Sequence, residues 1–299
     1  MIRPTPKPRP SPFDCRRFQH PKSERLSKRG CMTIAIGMLC HGGAILATDG
    51  RSTCEDGSAA RGRKLCVVDM GNLSFAFAIA ADDLNAAESL VRRTSTTLGN
   101  AAKTINGWPE IENIIRGEME QWTGAYGQHP FPVTRLIAGI TIPSQETRLY
   151  LCEPPATVLF KEDGYIAVGS GAAVTDPLFA TFFTALSSTC DPQYVCREVA
   201  YLMYRAKKDN IYCGGPTDAV FLNTHEVSAT WINGLDFREA ESASFQLDLI
   251  LQQATTAALT DPGQWLENNA SSIKSVILQC ERLRNTAFHG ISGKAVGGI

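Results

Sequence analysis

The chain turns strand-like at Thr33–Cys40, and a second apolar run, Ala44–Thr48, follows across His41-Gly42-Gly43. Two short runs about a glycine turn predict a hairpin. Leu65–Asp69 and Leu73–Ala80 predict another, turning at Met70-Gly71-Asn72. The period then changes. Asp83–Ala102 places Leu84, Ala87, Leu90, Val91 and Leu98 on one helical face, and Pro109–Tyr126 does the same with Ile111, Ile114, Ile115, Met119 and Trp122. Strands are predicted at Thr134–Thr141, Arg148–Glu153, Thr157–Lys161 and Tyr165–Val168. Gly169-Ser170-Gly171 then opens a helix over Thr175–Ser187, and Pro192–Lys208 is a further amphipathic helix. Strands at Ala219–Asn223 and Val227–Ile232 and two helices near 237–259 and 263–286 complete the pattern. Pairs of helices between groups of strands do not suit one simple parallel sheet. They suit two stacked sheets with a helical layer outside each, an α+β fold of four αββα layers.

Residues 1–31 stand apart. Prolines and basic side chains dominate them, with nine Lys or Arg against two acids, and they have too few apolar residues to offset ordering entropy. They lack the apolar core of a secretory signal. The expected organisation is an extension over 1–32, a folded domain over 33–236 and a helical extension over 237–299. A net charge of −1 in 299 residues gives no global sign of a nucleic-acid partner, and no apolar run approaches the roughly 18 residues of a membrane span. The ten cysteines form no C-x-x-C pair and follow no signal, which favours reduced thiols and a cytoplasmic setting. Five scattered histidines include no H-E-x-x-H, so neither a metal nor a cofactor is expected.

Candidate chemistry lies at strand ends. Thr33 opens the first predicted strand, Asp49 closes the second and Lys64 precedes the third. Antiparallel pairing would bring a hydroxyl, a carboxylate and an ammonium together. Threonine needs a base to become a nucleophile. Its own α-amine, ordinarily of pKa about 8, serves if it is free, and a nearby ammonium leaves more of that amine neutral. An aspartate would hold the lysine charged and oriented. Spacing alone leaves open that Asp49 and Lys64 are solvated or structural.

The stretch "MTIAIGMLCHGGAILATDGRST" resembles the opening of proteasome β-subunits, the threonine-type N-terminal nucleophile hydrolases. Thr33, the Gly42-Gly43 hairpin and Asp49-Gly50-Arg51-Ser52-Thr53 follow that family's pattern. Lys64 falls one residue early, as a deletion within 54–63 would produce; Arg63 is the other candidate. "FAFAIAADD" is similar to the family's "AGGAAD" segment, "AVGSG" to the segment whose serine supports the amine, and "KDNIYCGGPTDAVFL" to a "DxxSGG" turn before a strand. The resemblance implies Thr33 as nucleophile, Asp49 and Lys64 as tuning pair, Ser170 as support and the Ala78 backbone N–H as oxyanion donor. It places Asp209 or Asn210, with Cys213, in the supporting turn. Ala78 stands where the family has glycine, Cys213 where it has serine, and Met32 where its pro-segments end in glycine. The implied activity is threonine-type endopeptidase on polypeptides, in a homo-oligomeric ring with an ATPase among its partners. The alternatives are a catalytically inactive structural subunit and a hydrolase of small amides on the same fold.

The chemistry requires Thr33 to become residue one. Cutting after Gly30 would instead expose Cys31, which needs a shifted register. Removal of 1–32 by autolysis is one route; translation from Met32 with loss of that methionine is the other, and is the one expected. The basic character of 1–31 also admits a nucleic-acid-binding arm, though a removable segment or an unused upstream start is the simpler reading.

Overall fold

The computed structural model of the chain describes residues 33–53, 59–126, 131–182, 189–260, 262–289 and 291. The extension 1–32, including Cys31 and Met32, and the end of the helix expected to reach Ser187 lie outside the described residues.

The elements run β1 (Ala35–Cys40), β2 (Gly43–Asp49), β3 (Arg51–Thr53), β4 (Ala59–Arg61), β5 (Leu65–Asp69), β6 (Ser74–Ala81), α1 (Leu84–Ala101), α2 (Trp108–Gly124), β7 (Thr134–Thr141), β8 (Arg148–Glu153), β9 (Thr157–Phe160), β10 (Tyr165–Val168), α3 (Ala172–Phe182), α4 (Pro192–Asp209), β11 (Thr217–Asn223), β12 (Ser228–Trp231), α5 (Gly234–Thr260) and α6 (Pro262–Asn285). One five-stranded sheet has the order β10-β1-β2-β11-β12 and the other the order β5-β6-β7-β8-β9; β3 and β4 form a separate two-stranded ribbon. Among the described residues every strand pairing is antiparallel.

Side-chain alternation along the strands makes both sheets two-faced. Between them lie Ala35, Leu46, Leu65, Ala76, Ala78, Ile137, Leu149, Val220 and their neighbours, all buried. The outer face of the second sheet packs Phe75, Phe77 and Ile140 against the Leu90, Leu98, Ile111 and Trp122 faces of α1 and α2. The outer face of the first packs Ile34, Ile36, Ile45 and Phe221 against Val195, Val199 and Met203 of α4 and Phe237 of α5. The layering is therefore αββα.

Local chemistry sets the boundaries. The Asp83 carboxylate accepts the Ala86 N–H (3.1 Å) at the start of α1, and Asp191 accepts the Gln193 N–H (2.7 Å) ahead of α4, where Pro192 occupies the first turn. The ribbon β3–β4 was absent from the sequence reading, because three-residue strands in a polar stretch carry no readable period. At the far end, Gln193 clips the chain: its Nε2 donates to the Phe288 carbonyl (2.9 Å) and its Oε1 accepts the Phe288 N–H (2.8 Å). Among the described residues no helix is long and apolar enough to cross a membrane.

Candidate active site

Thr33 sits two residues before β1, and Asp49 is the last residue of β2. The β1–β2 register pairs Ala35 with Thr48, so the hairpin alone brings the two side chains to one end of the sheet. The Asp49 N–H donates to the Ile34 carbonyl (3.2 Å), extending that pairing beyond the strands. Lys64 arrives from the other sheet, one residue before β5. Thr33, Asp49 and Lys64 are 2%, 0% and 3% exposed, so this cluster is closed to bulk water.

All three ammonium donors of Lys64 are engaged: with Thr33 Oγ1 (2.5 Å), with Asp49 Oδ1 (2.9 Å) and with the Arg51 carbonyl. The Thr33 hydroxyl itself donates to Asp49 Oδ1. Asp49 is held further by the Ile34 N–H at Oδ1 (3.2 Å) and the Gly214 N–H at Oδ2 (2.9 Å). Removing two charges from water costs several kcal/mol each before pairing offsets it, so a buried ion pair at the end of a sheet points to function more than to stability. Arg63, the other candidate, is exposed and lies over the Trp231 ring at 5.7 Å.

A second layer surrounds Thr33. Its carbonyl accepts the Gly171 N–H (3.2 Å) and the Ser170 hydroxyl (3.4 Å). The flanking glycines make room for this approach. Gly169 has φ +95°, and a Cβ there would lie 2.3 Å from the Thr33 carbonyl oxygen. A Cβ on Gly171 would come within 2.7 Å of Ile34 Cβ. Gly169-Ser170-Gly171 is thus shaped around the threonine, more than a generic turn into α3 requires.

The turn after α4 sets its candidate residues apart. Asn210 donates its Nδ2 to the Ser170 carbonyl (2.8 Å) and accepts the Tyr212 N–H (2.9 Å). Asp209 instead pairs with Arg205 one helical turn back (2.9 Å). Cys213 is buried, with Sγ 3.9 Å from Ser170 Oγ, and burial pushes its thiol up to about 11. It remains a neutral thiol near neutral pH and makes a poor nucleophile.

Ala78 lies in β6, wholly buried, between Leu65 and Ile137. The strand meets the cluster one residue later, where the Ile79 N–H donates to the Lys64 carbonyl (2.8 Å). Successive N–H groups of a strand face opposite sides, so that of Ala78 faces β7. Sequence reasoning missed the Gly214 amide and the Arg51 carbonyl, because main-chain locks leave no side-chain signal beyond a glycine-rich turn. A groove of about 530 Å³ between α4, α5 and α6, lined by Tyr194, Glu198 and Leu251 among others, is not part of this cluster.

The proteasome subunit family profile matches residues 31–214, more than half of the chain. The chain belongs to the proteasome subunit family. Comparison with curated protein sequences returns no match. Among solved structures, this proteasome-family chain is similar to an Anbu (Gly-1) mutant from Hyphomicrobium sp. strain MC1, with TM-score 0.62, 18% identity, and 75% of this chain and 96% of that one covered. It is similar also to Anbu, an ancestral β-subunit, from Yersinia bercovieri (TM-score 0.60, 16% identity, 70% and 92% covered). A third is the helical assembly of the Anbu complex from Pseudomonas aeruginosa (TM-score 0.58, 14% identity, 75% and 96% covered). At such identities these likenesses show the fold: the αββα sandwich of the proteasome family.

Proposed function

We propose that the chain is a threonine-type endopeptidase acting through Thr33. The observation that carries this reading is the closed Thr33–Asp49–Lys64 cluster, in which a buried lysine directs one N–H at the threonine Oγ1 and Asp49 holds that lysine in place. Cleavage of the Met32–Thr33 bond frees the Thr33 amine. The amine takes the hydroxyl proton as Oγ1 attacks the substrate carbonyl, and the proton passes to the leaving amine. Water then hydrolyses the acyl ester by the same route in reverse. The Lys64 ammonium stabilises negative charge developing on Oγ1 and, by like-charge repulsion, favours the neutral form of the amine. Ser170 and Gly171 fix the carbonyl side of Thr33, and Asn210 fixes Ser170. The Ala78 N–H is the proposed oxyanion donor, which calls for substrate binding to turn it out of the ladder with β7. The protein works as a homo-oligomer on polypeptides; the Anbu complex of Pseudomonas aeruginosa forms a helical assembly.

One observation favours a second reading, a non-catalytic subunit: the direction of the Ala78 N–H away from Lys64. A β-lactone, which acylates an activated hydroxyl, separates the two. Protein from its native host should begin at Thr33 and gain one acyl mass on Thr33. A native chain with its Met32–Thr33 bond intact and no adduct would sink the peptidase reading.

A further inference from the structure

The segment beyond the family match reaches back towards the cluster. The inner face of α5 carries Phe237, Ala240, Glu241 and Ser244, spaced three and four apart, against α4 and β11. Glu241 is the charged member of this row. Its Oε1 accepts the Lys207 ammonium (2.7 Å) and the Thr217 hydroxyl, and its Oε2 accepts Lys207 again (3.0 Å). Lys207, in the last turn of α4, also donates to Thr217 Oγ1 (2.7 Å). One carboxylate therefore ties α4, α5 and the first residue of β11 together.

Thr217 pairs directly with Asp49 across β11 and β2. The three residues before Thr217 wrap the end of β2: the Gly50 N–H donates to the Pro216 carbonyl (2.8 Å), the Arg51 N–H to the Gly214 carbonyl (3.0 Å), and the Gly214 N–H to Asp49 Oδ2 (2.9 Å). The Arg51 carbonyl in turn receives Lys64. Three covalently linked residues thus separate the Glu241 anchor from the amide that holds the site aspartate.

We infer that Glu241 of α5 is a positioning residue for the Thr33 site, acting through Thr217 and the 214–217 turn on Asp49 and Lys64. The inference rests on the peptidase reading for its kinetic consequence but not for the coupling itself. It gives α5 a role in the chemistry: the helix sets the geometry of a carboxylate that it does not touch. Glu241→Ala removes both partners' acceptor. Glu241→Gln keeps an Oε1 able to receive both Lys207 and Thr217. Thr217→Val keeps the side-chain shape and deletes only the hydroxyl.

Hydrogen-exchange mass spectrometry on the full chain reads the coupling without turnover. Peptides spanning 212–217 should exchange about tenfold faster in Glu241→Ala and Thr217→Val, while α1 and α2 stay unchanged and Glu241→Gln stays close to wild type. In peptide hydrolysis the first two variants should lose about tenfold in kcat with KM within about twofold, and Glu241→Gln should restore most of it. Unchanged exchange at 212–217 overturns the inference. So does faster exchange with an unaltered kcat in an active enzyme. A wild-type chain that neither hydrolyses peptides nor takes the lactone defeats the peptidase reading alone, and the exchange result still decides the coupling.

Discussion

Two clusters in this molecule hold the same functional groups. Thr33, Asp49 and Lys64 meet at the end of β2; Thr217, Glu241 and Lys207 meet at the start of β11. In each, the lysine donates to the hydroxyl and to the carboxylate, and the hydroxyl donates to the carboxylate. They differ in burial and in the remaining donor. The Lys64 and Asp49 side chains are 4% and 0% exposed, those of Lys207 and Glu241 13% and 18%. The third N–H of Lys64 goes to the Arg51 main chain, whereas Lys207 meets Thr217 and both oxygens of Glu241. Most of all, Thr217 opens a strand and its nitrogen belongs to an internal peptide, while Thr33 precedes the first strand at the bond that the proposed cleavage would open. On the peptidase reading the same functional groups would make a nucleophile in one place and a fastener in the other, with the main-chain position deciding which.

The largest effect that tests this contrast is on turnover. Thr33→Ala should lower peptide hydrolysis by about 10⁴-fold or more, since removing a nucleophile is not offset by the rest of a site. Thr217→Val should cost only about tenfold. Equal losses in a peptidase assay would erase the distinction.

The lysines should then separate in stability. Lys64→Ala leaves Asp49 charged and buried without its cation, a loss of about 3–5 kcal/mol in denaturant unfolding. Lys207→Ala releases a pair nearer the surface and should cost about 1 kcal/mol.

Gly169→Ala tests whether the threonine cluster depends on close approach from outside it. The new Cβ meets the Thr33 carbonyl, and the backbone angle disfavours any side chain. A loss of about 2–3 kcal/mol is expected, with lactone labelling of Thr33 reduced alongside. Labelling at the wild-type rate would show that the Gly169–Ser170 wall is dispensable.

The last effect is confined to a pH dependence and concerns a carboxylate that no lysine pairs among the described residues. Glu198 on α4 is pushed up to about 7 by burial, against an ordinary 4.5, and its Oε2 has no hydrogen-bond partner among the described residues. The folded form keeps the proton that the unfolded chain releases above pH 4.5. This group therefore favours folding below pH 4.5, and its contribution is lost as pH rises through 7. The change should be about 2 kcal/mol once partial solvent contact is allowed for. Thermal unfolding against pH reads it, and Glu198→Gln should flatten that decline. An unchanged slope in the variant assigns the pH dependence to another group.

Much of the architecture was legible because period and punctuation agree. The Gly42-Gly43 and Met70-Gly71-Asn72 turns separate short apolar runs, and α1, α2 and α4 show a helical spacing that matches the face they bury. The spacing of Thr33 and Asp49 was legible for the same reason, since a hairpin register converts directly into distance. Lys64 was separable from Arg63 by its place before β5, and the structure buries the first and exposes the second. Other features were not legible. Whether Asp209 or Asn210 met Ser170 turned on the last turn of α4, where Arg205 takes Asp209 at i,i+4 spacing. Glu241 was not singled out in the sequence, since a helical span near 237–259 does not say which strand lies opposite. The direction of the Ala78 N–H follows from a ladder register that its side chain does not encode.

The clip between Gln193 and Phe288 joins residues 95 positions apart. Contacts of such separation form late, because a long loop must close before they gain anything. During synthesis β1, β2 and β5 leave the ribosome while Glu241 and Phe288 are still unmade. Thr33, Asp49 and Lys64 can then meet, but the 214–217 turn lacks its anchor until α5 emerges, and the start of α4 lacks its clip until Phe288 follows α6. A nascent chain would hold Thr33 in unfinished surroundings, and the full set of contacts behind it would form only once α5 and Phe288 have emerged.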